Sequence, residues 1–436
     1  MKRKIWVAAM TATMLVGLAT TASAQERQRN RRGNAEQAAP AAPAVSREFA
    51  TAFGPLQTAL GARDWATADT ALAAARAAAT NPYEQYLVAR ADLMIGSGQQ
   101  NQARQATAAD AIMASNGVPD TEKAQIYVIT AQLAYNARNF PAAAERAALA
   151  ATAGATNEQL PLLRMSALFE GGNADGALTY FREMESTAAA HGQHAPDAIY
   201  GMVGRNLQEL DRTSDLLPVL IDRASFYPNE SNMRAAILSV LQAAPDDTSL
   251  SMDMLRLMHA AGAMNDRRFY VEQISNLAEA GLPNEALMMI QAGRTANLIP
   301  AGDPTFTEVE TTQRSKLADD RASLPAGERR ATTAADGRLA RLMGDAYYSY
   351  GDYTKAETMY AMALTKSPAD ADLLNMRMAI ARFAAGNSDG ALQALASVTG
   401  QARGNAARLW AGFIRSRQAA AAPAPTPAPV TPAPTN

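Results

Sequence analysis

Along residues 47–418, apolar side chains recur every three or four positions, as in Leu217, Leu220, Ile221 and Ala224. That spacing places them on one face of a helix. The periodic stretches run about 12 to 18 residues, the length of globular helices. They end at Gly, Pro, Asn or Asp, which break helices or cap them. No stretch alternates apolar and polar positions as a strand would. The pattern predicts an all-α chain with two helices in roughly every 35 residues, the rhythm of a helical solenoid.

The helices also echo one another. Gly172-Asn173-Ala174-Asp175-Gly176-Ala177-Leu178 returns as Gly386-Asn387-Ser388-Asp389-Gly390-Ala391-Leu392 with one change. A polar residue, an aromatic, two variable positions and Ala recur as Asp64-Trp65 to Ala68, Asn139-Phe140 to Ala143 and Asp352-Tyr353 to Ala356. Asp or Asn there caps the free N–H groups of a helix start. The small Ala lets two helix axes approach to about 8 Å. Aligned on that small residue, the register runs Ala68, Ala103, Ala143, Ala177, Leu216, Ser251, Ala286, Ala356 and Ala391, at intervals of 34 to 40 residues and one of 70. The double interval predicts a weak repeat hidden near Arg321, within an irregular unit at 302–336.

Residues 337–370 carry Gly344, Tyr347, Ala356, Tyr360, Ala363 and Pro368. In this arrangement the unit resembles a tetratricopeptide repeat (TPR). A second unit, 197–230, keeps Tyr200, Gly204, Leu207, Leu216, Leu220 and Pro228. The resemblance gives Gly344 and Ala356 the crossing of two helices, Tyr347 and Tyr360 the space between helices, and Pro368 the end of the second helix. It implies a right-handed α-solenoid of about ten stacked antiparallel helix pairs over 47–418, each burying its apolar face on its neighbours. It also implies a concave groove lined by the first helices, where family members bind peptides or protein segments. By the family pattern the groove positions are Gln132 and Tyr135, Arg205 and Gln208, and Arg338, Arg341, Asp345 and Tyr348. The last four lie three to four residues apart on one helix face, and Arg with Tyr is a composition enriched at interfaces.

The two ends read differently. Lys2, Arg3 and Lys4, a largely apolar run from Ile5 to Ala19 and the small residues Ala22-Ser23-Ala24 predict a signal peptide over 1–24, cleaved after Ala24. As a retained anchor the run would be too short for about 30 Å of hydrocarbon. Residues 25–46 are polar, then Ala/Pro-rich, with Arg27, Arg29, Arg31 and Arg32 close together. They read as a disordered linker whose like charges repel, since four charges are at the low end of what holds an arm to anionic lipid. Residues 419–436 read as an extended, disordered Pro/Ala-rich tail.

Composition narrows the chemistry. With no cysteine, there is no disulfide, thiolate metal site or cysteine nucleophile. The formal charge of −2, or −5 without Lys2, Arg3 and Lys4, gives no electrostatic footprint for nucleic acid. His191 and His194 have a metal-ligand spacing, but Gly192 and Pro196 put them in a loop and no carboxylate cluster completes a shell. His259 lies among Met252, Met254, Leu255 and Met258, which read as core packing at helical spacing. No nucleophile elbow, phosphate loop or HExxH occurs, and nothing asks for a cofactor. The expectation is a non-enzymatic periplasmic scaffold that holds a protein or peptide segment of the cell envelope. Its alternatives are a specialised envelope assembly or export component, serving polysaccharide or outer-membrane protein, and an enzyme built as an all-helical barrel. Intact-mass measurement of the exported protein should give a chain beginning at Gln25; a chain that keeps Met1 would refute the cleavage.

Overall fold

The computed structural model describes residues 43–367 and 369–421, which form twenty α-helices and no strand. The expected signal peptide, the Arg-rich stretch to residue 42, Pro368 and the tail beyond Ala421 lie outside the described residues. The chain divides into two compact units, one up to Glu183 and one from Met184.

The first unit holds α1 (Arg47–Ala62), α2 (Trp65–Ala78), α3 (Pro82–Gly98), α4 (Gln102–Ser115), α5 (Asp120–Asn136), α6 (Phe140–Thr152) and α7 (Leu160–Glu170), and the division falls within α8 (Ala174–Ala189). From α1 to α7 each helix packs on the next. In addition α1 packs on α3 and α5 on α7. Side chains join the same series: Ser46 N–H donates to Glu84 (2.7 Å), Tyr86 and Arg90 to Glu122 (2.6 and 2.8 Å), and Tyr135 to Glu170 (3.0 Å). The odd-numbered helices are thus joined to one another, and the even-numbered ones likewise, through Arg104 with Asp69 and Arg146 with Asp110. Glu84 is enclosed, which alone would raise its pKa, but backbone and hydroxyl hydrogen bonds from Ser46 and Thr80 pull it down to about 2. Its contribution to stability is therefore present above the ordinary Glu range and lost as pH falls toward 2.

The second unit holds α9 (Asp197–Glu209), α10 (Thr213–Phe226), α11 (Glu230–Ala243), α12 (Thr248–Ala260), α13 (Arg267–Glu279), α14 (Pro283–Thr295), α15 (Pro304–Thr333), α16 (Arg338–Ser349), α17 (Tyr353–Leu364), α18 (Ala371–Ala384), α19 (Ser388–Leu395) and α20 (Gln401–Ala421). Sequential packing continues here, with a difference. The last helix, α20, returns to pack on α10, α11 and α12 as well as on α18 and α19, and α12 touches α18. Residues Met252 to Met258 of α12 are all buried, so this helix is surrounded, as a helix apolar on every side must be.

The repeated motif has a local physical cause. Asp64, Asn139, Asn173, Asp352 and Asn387 each accept a hydrogen bond from the backbone N–H three residues on. The residue before three of these caps is Gly172, Gly351 or Gly386, at φ 75° to 83°, where glycine carries no Cβ penalty. Four residues after the cap, Ala68, Ala143, Ala177, Ala356 and Ala391 are fully buried. Ala103 does not belong to this register. The cap of α4 is Asn101, so the matching position is Gln105, whose amide donates to Gly96 O (3.2 Å), and Ala103 is exposed.

The irregular unit is likewise not a hidden helix pair. One 30-residue helix, α15, fills most of it, with Pro325 inside. The Lys366 ammonium closes its C-terminus, donating to Ala331, Thr332 and Ala334 carbonyls at 2.7, 3.0 and 2.6 Å. A cation is favourable there because those carbonyls form the negative end of the helix dipole. At the other end of the chain, Ala419 to Ala421 belong to α20 and not to the tail.

In the unit that resembles a TPR most, Gly344 is buried against the Tyr360 ring, and a Cβ there would lie 2.4 Å from Cε1. Tyr347, Ala356, Tyr360 and Ala363 are all buried. In the second such unit Tyr200 is buried and Gly204 lies beneath Leu216 and Leu220, while Pro228 follows the end of α10. Gly344→Val should overpack this crossing and lower stability by about 1–3 kcal/mol, read as a drop in the thermal midpoint; an unchanged midpoint would mean that the Tyr360 ring gives way freely.

Candidate partner-binding site

The groove positions expected from the sequence fall into three surroundings. Gln132 and Tyr135 lie on α5 of the first unit and are half-buried. Gln132 donates to Asn136 on its own helix (3.0 Å), and Tyr135 reaches α7 through Glu170 and meets the Phe140 ring edge-on at 5.5 Å. Burial, then the hydrogen bond to Glu170, push the Tyr135 hydroxyl above its ordinary pKa. Val128 is half-buried one turn before Gln132, so α5 offers an apolar, an amide and an aromatic position in a row. Arg205 and Gln208 are exposed on α9 of the second unit.

The four residues of α16 divide. Arg338 is exposed and pairs with Asp336 (2.9 Å) beside it. Arg341, Asp345 and Tyr348 turn inward and meet the chain itself. Asp345, 4% exposed, accepts from Arg341 (3.1 Å), Tyr360 (2.9 Å) and Arg377 (2.5 Å). Tyr348 lies under the Arg256 guanidinium of α12, 4.7 Å from its ring centre. Asp345 and Tyr348 therefore do not line an open groove, being met by α18 and α12, while Arg341 is half-buried and pairs with Asp345 on its own helix.

What they join is a chain of alternating charge. Arg256 grips Glu285 of α14 with two bonds of 2.7 Å and donates to Asp253 at 2.9 Å. Asp253 faces the Arg377 guanidinium of α18 at 3.5 Å, and Arg377 donates to Asp345. Three acids alternate with three arginines, from Glu285 through Arg256, Asp253, Arg377 and Asp345 to Arg341. Burial pushes the Asp253 carboxyl above the usual carboxylate range, although Arg377 and Arg256 oppose this. Burial would also weaken the charge on Arg256, but Glu285 and Asp253 hold it firmly protonated. Each charge here has a neighbour of opposite sign, although Asp253 Oδ2 and Arg377 Nε and Nη2 make no hydrogen bond, so the cluster fixes structure.

Sequence reasoning passed over Asp253, Arg256, Glu285 and Arg377. The signal was present: Asp253 and Arg256 stand one turn apart in Met252-Asp253-Met254-Leu255-Arg256-Leu257-Met258. Charges inside a helix apolar on all sides need buried partners. The histidines have partners of other kinds. His191 Nδ1 lies 2.9 Å from Thr187 O, while His194 pairs with Glu185 (2.8 Å) and stacks on Phe226 at 3.4 Å. Burial lowers the pKa of His259. Among the described residues no group of His, Asp and Glu is placed to hold a metal ion, and no helix is long and apolar enough to cross a membrane.

No protein-family model matches the chain, and no curated protein sequence matches it. Among solved structures, yeast Tom70 aligns at 9% identity over 85% of this chain and 96% of that one, with a TM-score of 0.23. Naa15/Naa10 bound to HypK-THB aligns at 13% identity over 85% and 65%, with a TM-score of 0.26. The Cut9–Hcn1 hetero-tetramer of APC/C aligns at 12% identity over 86% and 91%, with a TM-score of 0.20. Superpositions this loose carry no argument; the architecture rests on the helix packing itself.

Replacing Arg377 by Met should leave Asp253 and Asp345 facing each other without their shared cation and cost about 3–5 kcal/mol in denaturant unfolding. The Asp253 carboxyl, already pushed up by burial, then favours the protonated form more strongly when folded. The deficit should thus shrink as pH falls from neutral toward the ordinary Asp range. A deficit independent of pH would mean that Asp253 is not the group left short of a partner.

Proposed function

We propose that the chain is an exported, non-enzymatic scaffold of the cell envelope that holds a segment of a partner protein on the concave side of its first unit. One observation supports this reading: in the second unit Tyr348, at a position of the groove pattern, already packs under Arg256 of another helix. That helix is the chain's own α12. The same pattern in the first unit gives Gln132 and Tyr135, which are half-buried. An aromatic and an amide held by neighbouring helices give contact area and hydrogen bonds with little ordering left to do on binding. Helix-in-groove recognition needs an apolar strip with polar groups beside it, and Val128, Gln132 and Tyr135 supply one.

The expected destination follows from the signal peptide, and the expected partner is an envelope protein because that is where the chain would reside. A photo-crosslinking residue placed at Gln132 in the full chain should give a discrete adduct in cells. The same residue at Thr107, exposed on α4, should give none. Tyr135→Ala in the Gln132 background should weaken the adduct at least severalfold, as loss of an aromatic anchor does. Equal labelling from both positions, or none from Gln132, would overturn the assignment.

A further inference from the structure

We infer that the wall made by α10, α11, α12 and α18 is a groove for a basic amphipathic helix, and that α20 is its ligand, carried on the same chain. This goes beyond the proposed function, because it concerns the second unit and a bound helix that is already present. Four observations lead there.

The first is charge. Helix α20 contains four arginines and no acid, while the wall presents acids to it. Arg403 pairs with Asp247 of the loop before α12 (2.9 Å), and Arg408 pairs with Asp222 of α10. Arg417 donates to the Ala260 carbonyl at the C-terminus of α12 (3.3 Å), where a cation also meets the helix dipole. These contacts lie along the length of α20, so they fix its register.

The second is the apolar face. Leu409, Trp410, Phe413 and Ile414 are buried, and Trp410 and Phe413 meet Phe383 of α18 edge-on at 6.2 and 5.7 Å. Aromatic anchors in a desolvated centre with charges at the rim are the anatomy of a binding interface.

The third is the fit at Gly412. A Cβ there would lie 2.7 Å from Ser225 Cα, so the backbone of α20 rests directly on α10. The fourth follows from it. Gly404 and Gly412 sit in the helix interior, and glycine is the weakest helix former apart from proline. A 21-residue helix with two interior glycines and four like charges is poorly helical alone. Its helicity is supplied by the wall, as for a segment that folds on docking.

The connection from α19 is short, and the Thr399 and Gly400 N–H groups are held by Asp372 (3.0 and 2.7 Å). It gives a point at which tether and ligand can be parted after folding. A protease site is placed between Ser397 and Gly400 of the full chain, and the folded protein is cut. The carboxyl-terminal fragment should stay bound. A fluorescent peptide of residues 401–421 should then exchange into the cut protein with one-to-one stoichiometry, and the uncut protein should not bind it. The same peptide carrying Arg403→Glu and Arg408→Glu should bind at least about tenfold more weakly. Three results would overturn the inference: no exchange while the rest stays folded, since α20 is then an inseparable part of the core; unfolding on cleavage that added peptide does not reverse; or equal binding of the charge-reversed peptide.

Discussion

The alternating charges from Glu285 to Arg341 are the constraint on which the second unit depends. They tie α14 to α12, α12 to α18, and α18 to α16, which are not neighbours in sequence. Taking five of these charges out of water is costly, and a buried pair is not by itself a source of stability. What such a network does is forbid alternatives. If α12 slid by one turn, Arg256 would leave Glu285, and Asp253 would leave Arg377. Each would then be buried without a partner, a penalty far larger than that of shifting a purely apolar helix. The apolar residues around it, Met252, Met254, Leu255, Leu257 and Met258, supply burial with little directional preference. The charges supply the register.

This division of labour separates the two units in kind. In the first, contacts run from each helix to the next and the one after, as stacking alone produces, and α5 keeps half-buried polar and aromatic residues. In the second, the chain turns back on itself: α12 is enclosed, α20 lies across α10 to α12, and the groove pattern of α16 is satisfied from within. One repeat grammar thus gives a simple stack in the first unit and a stack closed by its own last helix in the second. The long α15 contributes to the difference by replacing two short helices with one, so that α14 packs against both α15 and α16.

Much of this was legible in the sequence, for local reasons. Caps such as Asn173 and Asn387, the left-handed glycines before them and the small residues four positions later act within one turn, so their pattern survives in composition. Gly344 and Tyr360 were legible together because they close one helix pair. The slip at Ala103 came from holding a spacing constant where the cap, Asn101, had moved. The length of α15 was hidden because Pro325 reads as a break, although a long helix tolerates it here. The enclosure of α12 was the furthest from view: a motif fixes which face of α16 is inward, but not that a helix some ninety residues earlier occupies it. The charges within its apolar run were the one trace of that contact.

The claim that α12 is locked in place by α18 is tested most directly by a double-mutant cycle on Asp253→Asn and Arg377→Met, measured by denaturant unfolding of the full chain. The account predicts strong coupling, about 1–3 kcal/mol, with the double variant more stable than the sum of the single losses allows. Additive losses would mean that the two side chains do not meet, and the closed second unit would have to be abandoned.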